Sequence, residues 1–193
     1  MPKNYGSKSL AFRTFTFDKK GEVLFTHDKG GRRMPAYAVS KSRFSKPHVR
    51  VARIAGSSWH PQTFDIGSIA FHSLSSKMDI NLHGHSMQMR RDALSFSGRH
   101  NFDWPPVGNL EWKEKKLGNE LHLLDSGDRV LARCKSKWSK IGEKSGTIEI
   151  LVPGDDYFID MVVVTGLAKW KYQKKEHAAA SGGADAAAAV ATA

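Results

Sequence analysis

The stretch PGDDYFIDMVVVTGLAKWKYQKK, Pro153 to Lys175, decides the fold. It is the most apolar run in a chain that is otherwise polar and basic. Phe158, Ile159, Met161, Val162, Val163, Val164, Leu167, Ala168 and Trp170 crowd into it. The β-branched run Val162 to Val164 alone favours a strand, yet three features favour a helix. Pro153-Gly154 breaks the preceding element, and Asp155 or Asp156 then serves as N-cap. Acid opens the segment (Asp155, Asp156, Asp160) and base closes it (Lys169, Lys171, Lys174, Lys175), which suits the helix dipole. The apolar run is longer than most strands and too short to span a bilayer. Residues 158, 159, 162, 163, 166, 167 and 170 share one helical face, while Met161, Val164 and Ala168 make the other faces apolar too. A helix that is hydrophobic all round must be enclosed, so the predicted helix, 155–172, needs a wall around it.

The rest of the chain supplies strands. Apolar alternation and turn residues predict them at 10–18, 21–28, 34–41, 48–56, 65–74, 78–83, 86–91, 93–104, 109–116, 120–125, 129–134 and 147–152. In MDINLH (78–83), for example, Met78, Ile80 and Leu82 share one face. Gly67 is expected at a bulge, and Gly166 is expected to let a strand approach the helix closely. SSWHPQT (57–63) reads as loop and KSKWSKIGEKSG (135–146) as a basic loop carrying Trp138. The expected fold is mainly β: a closed antiparallel barrel of about twelve strands around a C-terminal hydrophobic helix. One domain spans 10–175. The Ala/Gly-rich segment 176–193 has no large apolar anchor and is expected to be disordered or at most fraying helix.

Composition narrows the partners. Lys plus Arg is 30 against 19 for Asp plus Glu, a formal charge of +11, with a sequence pI near 9.8. That bias favours anionic partners such as a lipid surface or nucleic acid. The single cysteine, Cys134, excludes an intrachain disulfide and fits a reducing compartment. The start of the chain carries no apolar signal region, and no window reaches transmembrane length. A monomer without cofactor is expected, in the cytoplasm, at a membrane periphery or in the nucleus.

The segments FHSLSSKMDINLHG (71–84), LEWK (110–113), RVLARC (129–134) and IEILVPGDDYFIDMVVVTGLAKWKY (148–172) resemble the tubby C-terminal-like superfamily. The scramblase and LURP-one proteins are similar in design, and the nearest likeness is to uncharacterised fungal tubby-like proteins. The resemblance covers roughly residues 10–172. It implies a barrel of about a dozen strands around a final helix, with binding of phosphoinositides and no shared enzymatic activity. The palmitoylated cysteine cluster of the scramblases is absent from this sequence.

Candidate chemistry is sparse. His83 and His85, two apart on a strand, could share a metal, with His72 and His100 as further ligands. That would make a small metal-dependent enzyme. The bland reading of His83-Gly84-His85 is a polar hairpin turn, which gives no metal site. The sequence has no G-x-S-x-G elbow, phosphate loop or dinucleotide fingerprint, so no catalytic residue is assigned. Cys134 ends an apolar strand and reads as a small hydrophobe. The basic clusters are Lys19-Lys20, Arg32-Arg33, Arg90-Arg91, Lys113 with Lys115-Lys116, and Lys135, Lys137, Lys140. From these the anion-binding residues are expected to be Arg90, Arg91, Lys135, Lys137 and Lys140. A loop of cations with one exposed Trp suits anionic lipid; single-stranded nucleic acid is the alternative.

Overall fold

A computed structural model describes residues 11–18, 20, 22–42, 44–56, 61–72, 75–91, 98–115, 120–138 and 144–190, with side chains left undescribed at 136–138, 144–145, 174 and 177–190. Its strands are β1 (Arg13–Phe17), β2 (Val23–His27), β3 (Arg33–Lys41), β4 (Val49–Ala55), β5 (Gln62–Phe71), β6 (Met78–Leu82), β7 (His85–Arg91), β8 (His100–Trp104), β9 (Gly108–Glu114), β10 (Glu120–Leu124), β11 (Val130–Trp138) and β12 (Lys144–Ile150), followed by helix α1 (Asp156–Val190). Each strand pairs antiparallel with its sequence neighbours, and β1 pairs with β12 through Arg13↔Ile150 and Phe15↔Ile148 to close the barrel. Closure removes the edges that an open sheet would leave.

The alternation seen in the sequence places the core. In β6, Met78, Ile80 and Leu82 are buried while Asp79 and Asn81 face outward. Phe15 and Phe17 of β1, Leu110 and Trp112 of β9, and Leu121 and Leu123 of β10 point inward in the same way. They pack on α1, where Met161 to Val164, Leu167 and Ala168 are wholly enclosed. The helix starts where its cap lies: the Phe158 amide donates to Asp155 Oδ1 at 2.8 Å. Buried Thr165 donates to the Met161 carbonyl at 2.7 Å and accepts from Trp112 Nε1 at 3.0 Å, so the one hydroxyl of the inner run is satisfied.

Four expectations need correction. The helix does not stop at Tyr172; it continues to Val190, through the segment expected to fray. Alanine has the best helix propensity, and extending a formed helix is far easier than nucleating one. The basic loop 135–146 is largely strand, since Lys135 to Trp138 continue β11 and Lys144 to Gly146 begin β12, with Trp138↔Lys144 in register. Gln62 and Thr63, read as loop, open β5. Gly166 meets no strand backbone: a Cβ there would sit 3.3 Å from the Trp112 ring. The close approach belongs to Gly67, where a Cβ would fall 2.9 Å from the Asn81 carbonyl and 3.1 Å from Val164 Cγ2. The register shift between Val51 and Ala52 puts the bulge at that point of β5, as expected.

Because successive strands alternate in direction, successive hairpins alternate between the two ends of the barrel. The turns 28–32, 83–84, 105–107 and 125–129 lie at one mouth with the start of α1. The ends of β1, β3, β5, β7, β9 and β11 lie at the other, where α1 leaves. This sorting positions every charged group discussed below.

Candidate functional site

At the first mouth the carboxylates Asp28, Asp125, Asp128, Asp155 and Asp156 stand among cations, most of them paired with these acids: Arg32 with Asp28, Arg129 with Asp125, and Arg53 and Arg13 with Asp156, with Lys29 and Arg33 nearby. Beneath them Asp160, the one acid within the apolar run, is 1% exposed. A carboxylate cannot be buried there without donors, and it has three. Its Oδ1 accepts from the Tyr37 hydroxyl of β3 and from Arg53 Nη2 of β4, both at 2.8 Å, and its Oδ2 meets His83 Nε2 at 2.8 Å. Arg53 also binds Asp156 through its side chain and its carbonyl. Burial, and then the Asp160 charge, push the Tyr37 hydroxyl pKa far above its ordinary value, so it stays a donor. His83 takes a left-handed backbone, φ 49°, to turn β6 into β7 and aim its ring at Asp160, with Tyr157 at 5.1 Å between centroids. An imidazole held by a carboxylate is the unit that general bases use. Here the carboxylate is shared among three elements, and the arrangement ties their ends to the first turn of the helix.

This corrects the histidine reading. His83 pairs with Asp160 rather than with His85. His72 and His100 lie toward the opposite mouth, where His72 meets Asp79 at 2.7 Å. Among the described residues no group of three or more His, Cys, Asp or Glu is placed to hold a metal. Cys134 is buried, and burial pushes its thiol pKa up to about 12, which suits its packing role.

The second mouth gathers the cations. Lys20, Lys41, Lys46, Lys77, Arg91, Lys115 and Lys175 stand exposed around it, interspersed with Asp18, Glu22 and Glu176. Lys46 follows Phe44 in the β3–β4 connection, and Phe44 is 100% exposed. Phe12, Met34, Phe64 and Val107, at the first mouth, are also exposed, by 39–52%, so Phe44 stands out by degree and by its cations, and a ring wholly in solvent beside lysines suits a water–lipid boundary. Deeper in this mouth Lys169 is 0% exposed. Its Nζ donates to the Gly98 carbonyl at 2.7 Å and lies 3.1 Å from His100 Nδ1. Burial lowers the amine's pKa to about 8, with Glu114 and Glu176 opposing the shift. Burial, and then the Lys169 charge, lower His100 to about 4, so its ring is neutral at pH 7. His100 Nε2 and Gln173 Nε2 are buried here without partners among the described residues.

The described ones among the expected anion-binding residues do not converge. Arg91 binds Glu176 of α1 at 2.9 Å. Arg90 points outward from the wall, its Nε on Gln88. Lys135 lies several strands away in the order of the barrel and is paired with Glu149 at 2.8 Å. Lys137 lies on β11, its side chain undescribed like that of Trp138, and Lys140 falls outside the described residues. Sequence reading missed Phe44, Lys46, Lys77 and Lys169. The signal for Phe44 was available: one bulky apolar residue in the polar run SKSRFSKPH (40–48) has no face to bury.

A family described as a family of unknown function (DUF6593) matches residues 21–175, from the approach to β2 through all later strands to the point where α1 has left the barrel. No curated protein and no solved structure matches the chain.

Proposed function

The chain belongs to the DUF6593 family, and from that premise we propose that it is a non-enzymatic module that seats its basic mouth on an anionic lipid surface, with phosphoinositide-like headgroups as the favoured ligand. One observation carries this reading. Cations that are scattered along the sequence come together at one end of the barrel, around a fully exposed Phe44. Phosphates neutralise the lysines while the ring enters the headgroup boundary, each basic residue contributing about 1 kcal/mol near such a surface. The resemblance to tubby-like proteins supports the same ligand class. No helix of the described residues is long and apolar enough to cross a membrane. The Asp160 cluster supports a structural role, because its carboxylate is shared among three donors.

Co-sedimentation with vesicles tests the reading. Vesicles containing phosphatidylinositol phosphates should bind the protein at low salt, release it as salt rises, and bind it less when Phe44→Ala and Lys46→Glu are introduced together. Equal binding to neutral phosphatidylcholine vesicles would sink the proposal. Tighter binding to a single-stranded oligonucleotide than to anionic vesicles would favour a nucleic-acid partner instead.

A further inference from the structure

Two seams of the barrel are short among the described residues, β1 with β2 and β7 with β8, each joined by two register pairs, and the second of them borders a cleft. Five register pairs join β6 to β7 and five join β8 to β9, but β7 meets β8 only at Arg90↔Asn101 and Arg91↔His100 among the described residues. Toward the acidic mouth the two strands part. His85 to Met89 have no register partner on β8, and Phe102 to Trp104 have none on β7, among the described residues. Between them lies a cleft of about 530 Å³, lined by Gln88, Arg90, Asn101 and Asp103 among others. It opens on the side wall of the barrel, away from Phe44 and the lysines of the 42–48 and 72–77 connections.

The chemistry of the cleft is asymmetric. Asn101 Oδ1 is buried and has no hydrogen-bond partner among the described residues. It is an acceptor, so it calls for an N–H and not for a phosphate oxygen. Arg90 lines the cleft with its guanidinium on Gln88 and, among the described residues, no carboxylate on it. Asp103, farther along β8, accepts from Asn109 Nδ2 at 3.0 Å and gives that end a negative charge. Two strand edges, an acceptor wanting an amide and a cation wanting a carboxylate describe one class of ligand. We propose that this cleft is a second binding site, which takes an extended acidic peptide segment by strand addition. The peptide's amides meet the edge of β7 and Asn101 Oδ1, its carboxylate meets Arg90, and the Asp103 end disfavours a second acid. The site is independent of the lipid reading.

A phage-displayed random octapeptide library panned on the full-length chain tests it, followed by fluorescence anisotropy of the enriched peptides without lipid. The expected peptides carry Asp or Glu toward one end and β-branched residues beside it. Their binding should weaken about tenfold or more in Arg90→Glu, the scale of a lost charged hydrogen bond, and recover when the peptide acid is exchanged for Lys. Asn101→Leu should also weaken peptide binding while leaving vesicle binding unchanged. Bound peptide should slow amide exchange in residues 85–89 and 101–104. Failure to enrich any peptide, or enriched peptides indifferent to Arg90→Glu, would overturn the proposal. So would sedimentation showing that a second copy of the chain, and not a peptide, protects those residues.

Discussion

Asp160 and Lys169 lie on the same helix, about 13 Å apart at 1.5 Å per residue, and each is fully enclosed near one mouth of the barrel. Their surroundings differ. Asp160 has donors from β3, β4 and the β6–β7 turn, all near 2.8 Å. Among the described residues Lys169 meets one carbonyl and a neutral imidazole, with the charges of Glu114 and Glu176 nearby, and Gln173 Nε2 in the same mouth is buried without a partner. The acidic mouth is therefore a clamp, in which a saturated carboxylate fixes the entry of the helix. The basic mouth is electrostatically unfinished: an amine held with little compensation, a rim of exposed lysines, and an exposed aromatic at its edge. Saturated polar clusters rigidify a fold, whereas unsatisfied ones mark where a partner can still be added.

Substitution can break this comparison. The largest effect is expected midway between the mouths. Val163→Asp puts a carboxylate where α1 has only apolar neighbours, at a cost of several kcal/mol, comparable to the roughly 5–15 kcal/mol stability of a whole domain. The variant should be largely unfolded by circular dichroism. A melt like the parent's would mean the helix is not enclosed. Next comes Asp160→Ala, which leaves Arg53, His83 and Tyr37 facing a vacated site and should cost about 3–5 kcal/mol in urea unfolding. A loss below about 1 kcal/mol, the scale of an exposed pair, would contradict the clamp.

The smallest effect sharpens the contrast. Lys169→Met removes a poorly compensated charge and should leave stability at pH 7 unchanged within about 1 kcal/mol, or raise it. The pH dependence is more telling. The folded-state pKa of Lys169, about 8, lies below its ordinary 10.5. Between those values the unfolded chain holds the proton that the folded chain has released, so stability rises with pH across the window. The raised pKa values of Cys134 and Tyr37 act the other way above their ordinary 9.0 and 10.0, in the parent and in Lys169→Met alike, so the difference between the two proteins over pH 8 to 10 isolates Lys169. Melts of the parent should climb there relative to those of Lys169→Met. Parallel curves would mean that Lys169 is not held in a low-dielectric site.

Much of this was legible in the sequence, for identifiable reasons. The helix announced itself because Met161, Val164 and Ala168 fill the faces that an amphipathic helix leaves polar. The strands announced themselves by alternation, clearest in Met78, Ile80 and Leu82. Asp160 looked like a helix-dipole charge because its partners lie 77 to 123 residues away in the chain and meet it only on closure. The end of α1 was misread because 176–190 offers nothing to pack, yet a nucleated helix needs only favourable propensity to continue. The basic mouth was latent in the sequence. Once the strands are taken as up-and-down, every second hairpin shares an end, and four of the five dispersed basic clusters begin on strands or turns of the same end.

The central claim is that the basic mouth, and not overall charge, is the binding face. Two triple variants with the same change in net charge decide it by vesicle co-sedimentation. Lys20→Glu, Lys46→Glu, Lys77→Glu reverses the basic mouth, and Lys29→Glu, Arg33→Glu, Arg129→Glu reverses cations of the acidic one. At about 1 kcal/mol per cation, the first should weaken binding to phosphoinositide vesicles by roughly a hundredfold or more. The second should bind within a few-fold of the parent. Equal losses in both, or a larger loss in the second, would contradict the account.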